Sequence, residues 1–296
     1  MSIKNLELRA KVVVEGFWNG LHRSPYHGFS VEFTEYRQYS PGDDLRYLDW
    51  RLYARTDRYY IKKFEDETNL RCHLLVDNSR SMGYGSLPYT KAQYAQTLAG
   101  TLAYFLYLQG DGIGLLTFDE QFREYLPARH RTGHLRHLML ALEKPAGGAS
   151  TDLGAPLKRI VEIVAKRGMM VLISDLLASL ETLEKNLISL VASGHEVVVF
   201  QILDPAELAF DFNKASLFYD LESGRDLYVE PAAIRKDYLK KLQEHNAKAK
   251  SICEKLGIAY RSFATDRPLE LALSDFLRAR MERGKHFKHS VARARH

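Results

Sequence analysis

Cys72-His73-Leu74-Leu75-Val76-Asp77-Asn78-Ser79-Arg80-Ser81 passes from a short apolar run into a carboxylate and two hydroxyls spaced two residues apart. A run this short and this apolar reads as an interior strand. The polar residues then sit in the loop at its carboxyl end. Met170-Val171-Leu172-Ile173-Ser174-Asp175 repeats the pattern, an apolar strand closed by an aspartate. Between them, Gly147-Gly148-Ala149-Ser150-Thr151-Asp152 places hydroxyls after a glycine pair. If the two strands are neighbours, their aspartates face one crevice. Ser79, Ser81 and Thr151 are then neutral oxygen ligands for a hard divalent cation, and Asp77 and Asp175 act through water. Magnesium prefers such oxygen sets and keeps several waters, so Mg²⁺ is the expected ion, with Mn²⁺ as the other candidate. A site so poor in directly bound negative charge can recruit an acidic group from a partner.

The surrounding chain alternates strands and helices. Strands are expected at Arg71–Asp77, Gly112–Phe118, Phe122–Leu126, Met169–Ser174, Glu196–Leu203 and Ile258–Phe263. Helices are expected at Thr90–Leu108, Gly133–Leu142, Leu153–Lys166, Leu180–Ala192, Ala232–Leu256 and Pro268–Arg280. In Thr90–Leu108, Ala92, Ala95, Leu98, Ala99, Leu102, Phe105 and Leu106 form an apolar stripe, as on a helix packed against a sheet. Such alternation predicts an α/β fold, a doubly wound and mostly parallel sheet of Rossmann type covered on both faces. Ligands in these folds bind outside the carboxyl ends of the strands, where the strand order reverses. Two parts fall outside the repeat. Residues 1–69 are aromatic and charged, with a helix-like start followed by extended segments. Residues 205–230 look like an insertion, in which Leu217–Asp220 and Asp226–Val229 form a hairpin across Ser223-Gly224.

Length and composition narrow the class. A chain of 296 residues can bury a large core. No apolar run reaches the ~18 residues needed to span a membrane. The start of the chain is polar, without the pattern of a secretory signal. Cys72 and Cys253 are the two cysteines, expected as buried free thiols in a reducing cytoplasm. The net charge of +5 is unevenly spread: residues 278–296 carry +6, leaving −1 for residues 1–277. The basic tail, residues 281–296, reads as a solvated terminus, and no recognised nucleic-acid motif accompanies it. His73 is expected as a packed core residue, and His134 and His137 on a helix surface.

Asp77-x-Ser79-x-Ser81 with a distant threonine and a distant aspartate resembles the metal-ion-dependent adhesion site of von Willebrand factor A-like domains. The resemblance covers about residues 70–280 and implies one antiparallel edge strand, which suits Phe122–Leu126. It assigns Asp77, Ser79, Ser81, Thr151 and Asp175 to the metal, with Ser150 as the alternative to Thr151 and Asp152 as a nearby carboxylate. Upstream, Pro41-Gly42-Asp43-Asp44-Leu45-Arg46-Tyr47-Leu48-Asp49-Trp50 is similar to the stretch that precedes this domain in the bacterial domain-of-unknown-function family fifty-eight. By itself Gly42-Asp43-Asp44 is a turn, and Arg46, Asp49 and Arg55 are expected to form ion pairs. Membership implies a non-enzymatic, metal-dependent scaffold that works with a MoxR-class AAA+ ATPase, or that ATPase's client, in complex assembly or maturation. Many relatives carry membrane helices that this chain lacks, which implies a cytoplasmic form. The rival expectation is a metal-dependent phosphohydrolase with Asp77 as nucleophile. Against it, position 79 is serine rather than a general acid, and no Walker-type phosphate loop is present.

Overall fold

A computed structural model describes residues 5–22, 35–39, 50–63, 70–119, 121–145, 154–210, 212, 216–219, 226–269 and 273. The Gly147–Asp152 stretch, residues 40–49 of the upstream motif, most of the expected terminal helix and the basic tail lie outside them. The described chain falls into two compact units, one of residues up to Asn19 together with those from Leu70, the other within Gly20–Asn69.

In chain order the larger unit contains α1 (Leu6–His22), β3 (Arg71–Asp77), α3 (Lys91–Leu108), β4 (Gly112–Phe118), β5 (Phe122–Arg129), α4 (His134–Leu142), α5 (Gly154–Ile163), β6 (Met169–Ser174), α6 (Leu180–Ala192), β7 (Glu196–Leu203), α7 (Pro205–Ala209), β8 (Ser216–Tyr219), β9 (Asp226–Val229), α8 (Pro231–Lys255) and β10 (Ala259–Ala264). The six-stranded sheet has the order β10-β7-β6-β3-β4-β5. Its pairs are parallel except β4 with the edge strand β5. β4 and β6 are buried along their whole length, and β3 in all but its first residue. They read as continuous apolar runs because helices cover both faces.

One face carries α5, α6 and α8, whose Leu157, Ile160, Leu183, Leu187, Leu190, Ile252 and Cys253 pack on Leu75, Leu116, Met170, Leu172, Val197 and Val199. Across the sheet runs α3, nearly all of it buried. It starts with a capping box in which the Thr90 hydroxyl accepts the Gln93 N–H and the Gln93 side chain accepts the Thr90 N–H. α1 belongs to the same unit. Leu6 is fully buried within van der Waals reach of Gly100 in α3, and its N–H, an orphan donor of the helix start, bonds Glu143 Oε1 at 2.9 Å.

The smaller unit pairs β1 (Glu35–Gln38) with β2 (Tyr60–Lys63) in antiparallel register. α2 (Trp50–Thr56) lies between them in sequence. The Tyr53 and Tyr59 rings stack at 4.5 Å, and Tyr39 meets Tyr59 edge to face. Of the ion-pair network expected of Arg46, Asp49 and Arg55, Arg46 and Asp49 lie outside the described residues.

Most elements match their sequence-based expectation to within two residues; β5, the end of α5 (Ile163 in place of the expected Lys166) and the start of the expected insertion differ. β5 continues to Arg129 because it pairs along most of β4, with irregularities at Ile113/Leu115 and Thr117/Phe118. The start of the expected insertion is a helical turn, α7, opened by Asp204 and Pro205. His137 is exposed as expected, but His134 is half-buried, with Nε2 2.7 Å from the Ile113 carbonyl oxygen. Cys72 and Cys253 are buried and belong to no disulfide among the described residues, and His73 is buried in the sheet beside Tyr125.

Gly114 sits at the register irregularity between β4 and β5. A Cβ there would lie 2.6 Å from His73 Nδ1, 2.9 Å from the Ala128 nitrogen and 2.9 Å from the Leu126 carbonyl oxygen. Two of those neighbours are backbone and cannot rotate away, as expected for a strand glycine at a close backbone approach. Gly114→Ala is therefore expected to destabilise the protein by about 2 kcal/mol or more, read as a lowered urea midpoint.

Candidate functional site

β6 lies beside β3 with Val76 opposite Ile173, so both strands deliver their polar ends to one edge. The chain leaves β3 for β4 on one side and β6 occupies the other, making this the switch point of the sheet. Asp77 and Asp175 are both fully buried there.

Both carboxylate oxygens of Asp77 are held. Oδ1 accepts the Ser79 N–H at 2.8 Å, the short-range turn bond that aspartate forms with its own backbone. Oδ2 accepts the Ser174 hydroxyl at 2.6 Å, tying the two strand ends together. Ser79 is buried and Ser81 half-buried, with their hydroxyl oxygens 3.0 Å apart. Ser79 precedes a short 3₁₀ turn, Arg80–Gly83, without capping it by its side chain. Asn78 is also buried, and its Oδ1 has no hydrogen-bond partner among the described residues. A buried acceptor left without a partner calls for an ion or water.

Asp175 is held from three directions. Its Oδ2 pairs with Lys91 Nζ at 2.9 Å, and its Oδ1 lies 3.3 Å from the Leu177 nitrogen. Its carbonyl accepts Gln201 Nε2 at 3.0 Å. Gln201 also donates to Asn246 Oδ1 and accepts the Tyr260 hydroxyl. The next residue, Leu176, is buried with φ 58°, a left-handed backbone conformation that costs a leucine about 1–3 kcal/mol. Its N–H bonds Ser174 Oγ and its carbonyl meets His245 Nε2, so the surrounding bonds impose the turn.

The electrostatics follow from burial. Burial first, and then the negative charge of Asp175, push the Asp77 carboxyl up to about 7, against the hydrogen bonds from Ser174 and Ser79. Burial pulls the Lys91 ammonium down, and the carboxylates of Asp175 and Glu207 more than reverse this.

Four of the five residues expected at the metal, Asp77, Ser79, Ser81 and Asp175, belong to adjoining strand ends. Thr151 lies outside the described residues, as do Ser150 and Asp152. The donors present fit a hard, oxygen-seeking cation: buried like-charged carboxylates, two adjacent hydroxyls and an unpartnered amide oxygen. Sequence reasoning missed Ser174, Lys91, Glu207 and Asp204. For Lys91 a signal existed, since a lysine directly after the Thr90 cap opposes the helix dipole.

Residues 35–248 match the family described as "Protein of unknown function DUF58". The chain belongs to this family. Uncharacterized proteins of Mycobacterium bovis and Mycobacterium tuberculosis are each 28% identical over 272 residues, covering 90% of this chain and 84% of theirs. The fold is von Willebrand factor A-like. Among solved structures, the conserved hypothetical protein BatB from Bacteroides thetaiotaomicron superposes with a TM-score of 0.51 at 13% identity, covering 72% of this DUF58 chain and 99% of BatB. Among the described residues no helix is long and apolar enough to cross a membrane.

The folded-state pKa of Asp77, about 7, exceeds the 3.8 of an unperturbed aspartate. The native state therefore binds this proton more tightly than the unfolded chain. The stability it contributes is complete below about pH 4 and is lost as pH rises through about 7. In EDTA, thermal melts across this window are expected to show a decline that Asp77→Asn removes. Identical pH profiles for the two proteins would count against the assignment.

Proposed function

We propose that the protein is a non-enzymatic, cation-dependent binding module whose partner supplies an acidic side chain. The observation that carries this reading is the meeting of Asp77, Ser79, Ser81 and Asp175 at one switch point, where burial first, and the charge of Asp175 second, raise the Asp77 carboxyl to about 7. In this reading Ser79, Ser81 and Thr151 hold Mg²⁺, or Mn²⁺, directly. Asp77 and Asp175 act through water and offset its charge. The ion, when bound, supplies an electrophilic position that an outside carboxylate can fill.

This chain's own residues do the positioning. The Ser174–Asp77 bond fixes the spacing of the two strand ends. The turn bond from the Ser79 N–H orients the loop that carries both serines. A nucleophilic role for Asp77 has less behind it, because both oxygens are engaged and the side chain is fully buried. Family membership supports a partnership with a MoxR-class AAA+ ATPase or its client in the cytoplasm, where this chain acts in assembly or maturation of a complex.

Titration calorimetry is expected to show saturable Mg²⁺ binding that Asp77→Ala abolishes. Pull-down with a MoxR-class ATPase from the same genome is expected to fail both in EDTA and with Asp77→Ala. Retention of the ATPase at the wild-type level in both would reject the reading.

A further inference from the structure

Lys91 is the first residue of α3 and its side chain has no exposed surface. Two costs attach to that placement. An ammonium loses its hydration on burial, and the positive end of the helix dipole repels it. A methionine of similar length would avoid both.

Its ammonium bridges two carboxylates, Asp175 Oδ2 at 2.9 Å and Glu207 Oε1 at 2.6 Å. Glu207 is locked in place, since its other oxygen accepts the Asp204 N–H at 2.9 Å to complete the capping box of α7. Asp204 accepts the Ala206 N–H and both the N–H and the hydroxyl of Ser86. Lys91 thus reaches from a fixed acceptor on α7 to the carboxylate at the end of β6.

We infer that Lys91 is a positioning residue that sets the cation affinity of the site by competing with the ion for Asp175, and that Glu207 moderates it by sharing the ammonium. The inference rests on the cation reading above. With Lys91 on Asp175, that aspartate offsets little of the ion's charge. A cation at the Ser79 and Ser81 hydroxyls is then bound more loosely and pulls harder on an outside carboxylate. The site depends on its partner to complete it because a lysine occupies part of its negative charge. The buried ammonium acts through Asp175 alone, since its lack of exposed surface leaves nothing for a partner to touch.

The two residues have opposite predicted signs. Mg²⁺ and Mn²⁺ are titrated calorimetrically into the wild type, Lys91→Met, Glu207→Gln and Asp77→Ala, with circular dichroism melts to establish folding. Lys91→Met is expected to bind either ion about tenfold more tightly or better, because a nearby positive charge is gone. Glu207→Gln, which leaves the ammonium wholly to Asp175, is expected to bind several-fold more weakly. Affinities within about twofold of wild type in both variants, with Asp77→Ala silent, overturn the role of Lys91 and leave the cation reading standing. A wild type silent toward both ions overturns both. Should Lys91→Met fail to fold, Glu207→Gln decides alone.

Discussion

The constraint on which the rest depends is the placement of two aspartates, Asp77 and Asp175, at the ends of neighbouring strands and wholly out of water. Like charges in a low-dielectric interior repel strongly. The protein answers with a hydrogen bond from the Ser174 hydroxyl to Asp77, an ammonium from Lys91 on Asp175 and a loop that carries two hydroxyls. These answers are incomplete, because burial, and after it the charge of Asp175, still hold the Asp77 carboxyl up to about 7. That residual imbalance is the physical basis for reading the site as one made for a cation.

The sheet makes the constraint sustainable. β3 is flanked on both sides by parallel strands, so the backbone at Asp77 cannot relax away from Asp175. Gln201 closes the network behind Asp175 by bonding its carbonyl while also engaging Asn246 and Tyr260. Buried polar networks are stabilising only when their members are satisfied. Here satisfaction reaches from β6 through β7 to α8 and β10. Leu176 shows the cost of this arrangement: a bulky side chain held at positive φ so that the chain can turn immediately after the aspartate.

The start of the expected insertion has a part in the same network. α7 is short, but its capping box immobilises Glu207, and Glu207 fixes one end of Lys91. The charge environment of Asp175 is therefore set partly from outside the repeating strand–helix pattern. Asp204-Pro205-Ala206-Glu207 is itself a helix-start signature, with a capping carboxylate, proline in the first turn and glutamate three residues on. It was legible, yet it says nothing of where the helix points.

The linear chain by itself determined the fold class and most strands and helices, and placed Asp77 and Asp175 at strand ends; that those strands are neighbours came from the sheet order. Apolar runs closed by polar residues are local patterns, and the physics of covering a parallel sheet leaves few ways to assemble them. It also marked Ser79 and Ser81, which lie within one loop of Asp77. Only the tertiary structure decided that Lys91, 84 residues before Asp175, turns inward to meet it, and that Ser174 bonds Asp77 across 97 residues. In the sequence the unfavourable place of Lys91 at a helix start hints at a partner, but names none. That partner is the set of carboxylates that three-dimensional packing brings within reach, and no periodicity along the chain records it.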